Sequence, residues 1–136
     1  MNLKLIFWGL TILALLLVFK CSPRGATDCK QFKNGDFEYR SNGLYYEITR
    51  TDTVQTEINK LNGDITKNSI RWTDDCAYEL RLLESTAIYP DSINQLRMAS
   101  TLTVTIMSWT DDYYIYRSKS NMVDRVMVDT LWLKNR

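Results

Sequence analysis

From Cys29 onward most of the chain alternates apolar and polar positions with a period of two, the signature of strands that bury one face. In "LYYEITR", Leu44, Tyr46 and Ile48 fall on one face and Tyr45, Glu47 and Thr49 on the other. "TVQTEI" follows past Thr51 and Asp52, and "SIRW" past the turn "NGD" at 62–64. A Thr-Asp-Asp corner leads into "CAYELRLL", and "TLTVTIMSW", "YYIYRS" and "DRVMVDTLWL" come later. One segment breaks the rhythm. "PDSINQLRM" has Pro90 suited to a first helical turn, Asp91 near the positive helix end, and Ile93 and Leu96 three apart, which predicts one short helix near residues 90–98.

The pattern therefore predicts a mainly β protein. A single antiparallel meander of about seven or eight strands curls into a small barrel or a strongly bent sheet, with a flat two-layer sandwich as the alternative. "TLTVTIM" is apolar, β-branched and uncharged, so it belongs in the middle of the sheet, where no free edge invites aggregation.

The amino terminus follows a different rule. Lys4 precedes the unbroken apolar run "LIFWGLTILALLLVF", short for a bilayer span and of the length of a signal h-region. Residues 1–20 read as a signal peptide or an uncleaved hydrophobic anchor helix, since Phe19 and Lys20 are poor cleavage residues. The Pro- and Gly-containing stretch at 21–28 reads as a flexible tether, and 29–136 as the β-barrel-like domain.

Composition narrows the function. A chain of 136 residues that is 45% hydrophobic and 24% charged suits one modest core. A formal net charge of +1 with no basic cluster argues against nucleic acid. The absence of His removes the usual general base, the commonest metal ligand and every His-activated nucleophile; neither cofactor, metal nor enzymatic activity is expected. Three Cys in an exported chain leave one over once a disulfide forms. Cys21, directly after the apolar run, occupies the position of an acylated lipoprotein cysteine, although "VFK" lacks small lipobox residues. A spare thiol is the other reading. Cys29 and Cys76 would then pair.

"RWTDDCAYEL" and "SWTDDYYIYR" nearly repeat one another. The Asp pairs read as turn residues whose side chains bond back to the backbone; a hard-cation site would need more oxygen ligands at fixed spacing. Trp72 and Trp109 read as core or rim aromatics over the sheet end, with Trp72 retained as a candidate ligand contact.

Cys29, Phe32, Gly35 and Phe37, then Arg50, Gln55 and Glu57, then Trp72, Asp75, Cys76, Tyr78, Glu79 and Leu80 form a spaced pattern. It resembles an uncharacterised family of short exported bacterial β-rich lipoproteins with C-x-x-F-x-x-G-x-F and W-x-x-D-C-x-Y-E-L motifs. The resemblance implies a lipocalin-like or calycin-like fold outside the cytoplasm, with no established activity. It also draws attention to Arg50, Gln55 and Glu57, which a hairpin at Thr51 and Asp52 would bring together. They form either a polar floor that fixes one end of a small ligand or a surface charge ladder.

The functional expectation is a monomeric cell-envelope protein, held to the membrane by its amino-terminal lipid or anchor. It is read as a non-enzymatic module for a small apolar or amphipathic ligand. Tyr45, Tyr46, Tyr78, Tyr113, Tyr114 and Tyr116 would line the mouth. The alternative is an envelope interaction or structural lipoprotein with a filled core and no ligand.

Overall fold

The computed structural model describes Arg24–Gly25 and residues 28–134. The apolar run, Cys21 and most of the tether lie outside the described residues. Nine strands and one α-helix are described: β1 (Arg24–Gly25), β2 (Gly35–Ser41), β3 (Leu44–Arg50), β4 (Val54–Asn59), β5 (Ile65–Asp74), β6 (Ala77–Ser85), α1 (Asp91–Ala99), β7 (Thr101–Trp109), β8 (Tyr113–Ser120) and β9 (Val126–Leu133). Each strand from β2 to β9 pairs antiparallel with the next, and β9 returns to β2. The meander closes into an eight-stranded barrel.

Local chemistry sets the register. Asn42 and Gly43 both have positive φ, 50° and 78°, so the two-residue β2–β3 loop has the backbone of a hairpin turn that only Asn-Gly-type pairs adopt readily. That loop places Phe37 opposite Ile48 and Tyr39 opposite Tyr46, all on one face. Closure rests on two Cα pairs, Phe37 with Leu133 and Glu38 with Trp132, continued by the Lys134 N–H donating to the Asp36 carbonyl at 2.9 Å. Beyond these pairs, the Tyr39 hydroxyl spans the β2–β9 seam to Asp129 Oδ2 at 2.8 Å.

One barrel end is sealed. A short 3-10 helix (Lys30–Phe32) lies across it, with Phe32 fully buried. Its ring packs against Tyr114 at 4.9 Å between centroids and against Trp109 at 5.9 Å. Cys29, immediately before this helix, is bridged to Cys76 at the start of β6. Both Thr-Asp-Asp corners are turns at this same closed end. Asp74 Oδ1 accepts from the Asp75 N–H in one, whereas in the other it is Thr110 Oγ1 that accepts from the Asp112 and Tyr113 N–H groups at 3.2 and 3.3 Å. Only the first corner is followed by a Cys, and that Cys is the one bridged to the cap.

β7 is hydrogen-bonded along both edges, to β6 and β8, with Val104 and Ile106 in the core. α1 crosses the opposite end between β6 and β7. Pro90 stands at its N-cap rather than in its first turn. No α1 residue is buried; Ile93 and Leu96 are exposed.

Candidate ligand cavity

Inward-facing positions of small barrels are normally filled by side chains, yet this barrel leaves a cavity of about 300 Å³. That lies at the small end of the range for small-molecule sites. Its walls are apolar and aromatic, with Ile48, Leu80, Val104, Leu131, Tyr39 and Tyr116 among them. A second basin of about 390 Å³ lies at the mouth, bounded by Asn62, Asp64, Tyr89 and Arg97 among others. The two share Tyr46, Glu57, Leu80 and Leu102, so the outer basin adjoins the inner one.

The floor is polar. Arg50, the last residue of β3, follows Ile48 by two positions and therefore points inward with it. It is 2% exposed. Its Nε and Nη2 donate to Gln55 Oε1 at 2.9 and 2.6 Å, and Nη1 to the Phe32 carbonyl at 2.9 Å. The second Nη2 hydrogen is shared between the hydroxyls of Tyr78 and Tyr114, at 2.9 and 3.0 Å. Aromatic faces complete the enclosure, with the guanidinium carbon 4.6 Å from the Tyr78 ring centre and 4.9 Å from that of Phe37.

Gln55 carries the interaction along β4. Its Nε2 donates to Glu57 Oε1 at 2.8 Å, and Asn68 Nδ2 donates to the same oxygen at 3.1 Å. A buried Arg–Gln–Glu relay results, in which the guanidinium and the carboxylate offset each other without touching. Glu57 is enclosed by the barrel wall but keeps surface on the cavity. Desolvation raises its carboxyl above the usual range, against the lowering influence of Gln55, Arg50 and Asn68.

The two floor tyrosines have an unbalanced count of hydrogens. Their hydroxyls lie 3.3 Å apart and both accept from Arg50, so only one phenolic hydrogen can sit between them. The other has no acceptor among the described residues. Burial pushes the Tyr78 phenol well above its ordinary range, keeping that hydroxyl a neutral donor. Tyr116 is likewise raised, by burial first and by nearby Asp129 next.

Arg50, Gln55 and Glu57 are thus brought together as a floor and wall; the surface charge ladder is ruled out by the burial of Arg50 and Gln55. Trp72 does not line the cavity. It packs behind the floor, 4.8 Å from the Tyr78 ring and 6.0 Å from the Arg50 guanidinium. Tyr46, Tyr78, Tyr114 and Tyr116 line the cavity, with Tyr78 and Tyr114 at the floor rather than the mouth. Tyr45 and Tyr113 occupy the outer face, because one step along a strand reverses the side chain: Tyr45 donates to Glu38 at 3.2 Å and Tyr113 packs on Trp132 at 4.9 Å. Sequence reasoning missed the inward Asn68, Leu80 and Leu102; the alternation through "SIRW", "CAYELRLL" and "TLTVTIMSW" carried that signal. No protein-family model, curated protein or solved structure matches this chain.

Proposed function

We propose that the protein is a cell-envelope binding module that holds one small amphipathic ligand in the barrel and performs no chemistry on it. The observation that carries this reading is the open 300 Å³ cavity above a polar floor. A protein whose interior served only its own stability would fill that volume, since voids forfeit packing energy. The ligand's apolar body would contact Ile48, Leu80 and Val104. Its leading end would carry a hydrogen-bond acceptor for the unclaimed tyrosine hydrogen.

Three features support the rest of the reading. The inner cavity presents a single carboxylate, Glu57, where carboxylate-pair hydrolysis needs two. The motif spacing through Cys29, Arg50 and Trp72 resembles that of exported lipoprotein-like chains. The apolar run and Cys21 are suited to export and to attachment of a monomer at a membrane. The cavity supports this reading over the filled-core alternative.

The test is a fluorescence titration of the purified protein with 1-aminoanthracene, an apolar probe whose emission rises in a dry site. Wild-type protein should enhance and blue-shift the emission, and Leu80→Trp, which fills the cavity, should abolish this while the far-ultraviolet dichroism is retained. Leu102→Phe, a smaller addition on the same wall, serves if Leu80→Trp disturbs the fold. No enhancement in the wild type, or equal enhancement in a folded filled variant, overturns the reading.

A further inference from the structure

The outer basin has two unlike walls. On β6 and β7 its lining positions are Leu80, Leu82 and Leu102. On β4 and β5 they are Glu57, Asn59, Thr66 and Asn68, all half-buried. Asn68 pairs with Leu82 across the β5–β6 ladder, so the polar and the apolar wall meet at one depth. Nearness to water therefore does not by itself account for the polar one.

Register holds the polar groups together. Glu57 lies opposite Thr66 and Gln55 opposite Asn68, while Asn59 lies opposite Tyr46, spacings at which side chains meet. Their hydrogen-bonding capacity is only part-used. Glu57 Oε1 accepts from Gln55 and Asn68, but among the described residues nothing donates to Glu57 Oε2 or to Asn68 Oδ1. The Tyr46 hydroxyl accepts from Asn59 at 3.4 Å, and its own hydrogen has no acceptor among them.

α1 supplies a donor to the same basin. Arg97 Nη1 is covered and has no hydrogen-bond partner among the described residues. Its Nη2 reaches only Ser85 Oγ, at 3.5 Å, and the guanidinium rests over the Tyr89 ring at 4.4 Å. A covered donor without an acceptor costs stability that nothing in the barrel recovers. A guanidinium held by one long bond and a ring can swing toward an acceptor in the basin that it lines.

The lining charges choose no sign. Glu57 and Asp64 are its carboxylates and Arg97 is its cation. An anionic head would lie against two carboxylates, and a cationic head against the guanidinium. Hydroxyls suit both kinds of neighbour, since each both donates and accepts. Adjacent hydroxyls also match planar carboxylate, carboxamide and guanidinium groups, which offer two sites side by side. Tyr46 and Tyr89 add ring surface for the C–H side of a sugar.

Resting on the reading of the barrel as a binding module, we propose that its ligand is a glycosylated amphipath. The sugar occupies the outer basin, and the apolar chain passes Leu80 and Leu102, which line both chambers, into the inner cavity. Glu57 and Asn68 accept from the sugar hydroxyls, and Arg97 donates to one of them.

The test is isothermal titration calorimetry of the full chain with octyl compounds that differ only in the head: octyl β-glucoside, kept below its micelle-forming concentration, 1-octanol, octanoate and octylamine. The glucoside should bind about tenfold more tightly than 1-octanol, the gain expected of one or two further hydrogen bonds, and more tightly than either charged compound. The combined variant Thr66→Val, Arg97→Met changes side chains that line the outer basin and not the inner one. It should bring the glucoside down to the affinity of 1-octanol and leave that of 1-octanol unchanged. Equal binding of glucoside and 1-octanol by the wild type would overturn the sugar assignment while leaving the inner cavity as a binding site. Tightest binding of octanoate or of octylamine would overturn it in favour of a charged head. Failure of every octyl compound, with 1-aminoanthracene also unbound, would overturn it together with the cavity reading on which it rests.

Discussion

A guanidinium with 2% of its surface exposed loses several kcal/mol of hydration, and it is retained only where hydrogen bonds and a counter-charge offset that loss. Arg50 meets the condition through Gln55, the Phe32 carbonyl and two phenols, while its counter-charge, Glu57, is held one residue-pair away through Gln55. Glu57 is the member of the relay that titrates in an accessible range. Desolvation raises its carboxyl, so its ionised form is tolerated less well in the folded chain than in the unfolded one. That penalty is absent at pH below the unfolded carboxyl value and complete above the folded one. Glu57→Gln keeps an oxygen to accept from Gln55 and Asn68. Its stability relative to wild type should therefore increase as pH rises from acid to neutral, with the two proteins converging in acid. Denaturant unfolding across that range measures it; a variant that loses ground as pH rises would show that attraction to Arg50 and Arg97 outweighs desolvation. The inward direction of Arg50 was legible, since it continues the face of Tyr46 and Ile48. The outer charges Glu47 and Arg71 look the same in sequence as the inner Glu57, and only closure of the barrel separates them.

The closed end shows how one covalent link and one small helix set the floor. The Cys29–Cys76 bridge spans 47 positions, and restricting an unfolded loop of that size stabilises the chain by about 4 kcal/mol in the chain-entropy model. Replacing both cysteines by Ser should remove roughly that much in denaturant unfolding without reductant. It should also loosen the 3-10 helix whose Phe32 carbonyl accepts from Arg50. Unchanged stability would mean that the bridge does not restrain the unfolded chain. The pairing was accessible from cysteine arithmetic. β2 was the overlooked strand, even though "FEYRS" alternates and Asn42-Gly43 is a strong hairpin signal; the adjacent Cys, Phe and Gly drew attention to motif spacing instead. α1 was located from Pro90 and Asp91, but periodicity shows only that a helix has an apolar stripe. It does not show which way the stripe faces.

As a whole the molecule is a cup with unlike ends: a sealed base, a cavity with a polar floor, and a rim that carries most of the exposed large apolar side chains among the described residues. The barrel was among the legible options because alternation broken by a single helical segment, with short turns elsewhere, leaves few other antiparallel solutions. The unfilled centre was not, because interior volume depends on how far eight strands spread and no single residue encodes it. Among the described residues no helix is long and apolar enough to cross a membrane.

The most direct measurement of the central claim is methyl NMR of the folded protein during titration with 1-aminoanthracene. Bound probe should shift the methyls of Ile48, Leu80, Leu102 and Val104, which face the cavity, and leave Leu83 and Met107 on the outer surface unmoved. Shifts confined to the outer methyls, or none at saturating probe, would contradict a barrel that receives its ligand inside.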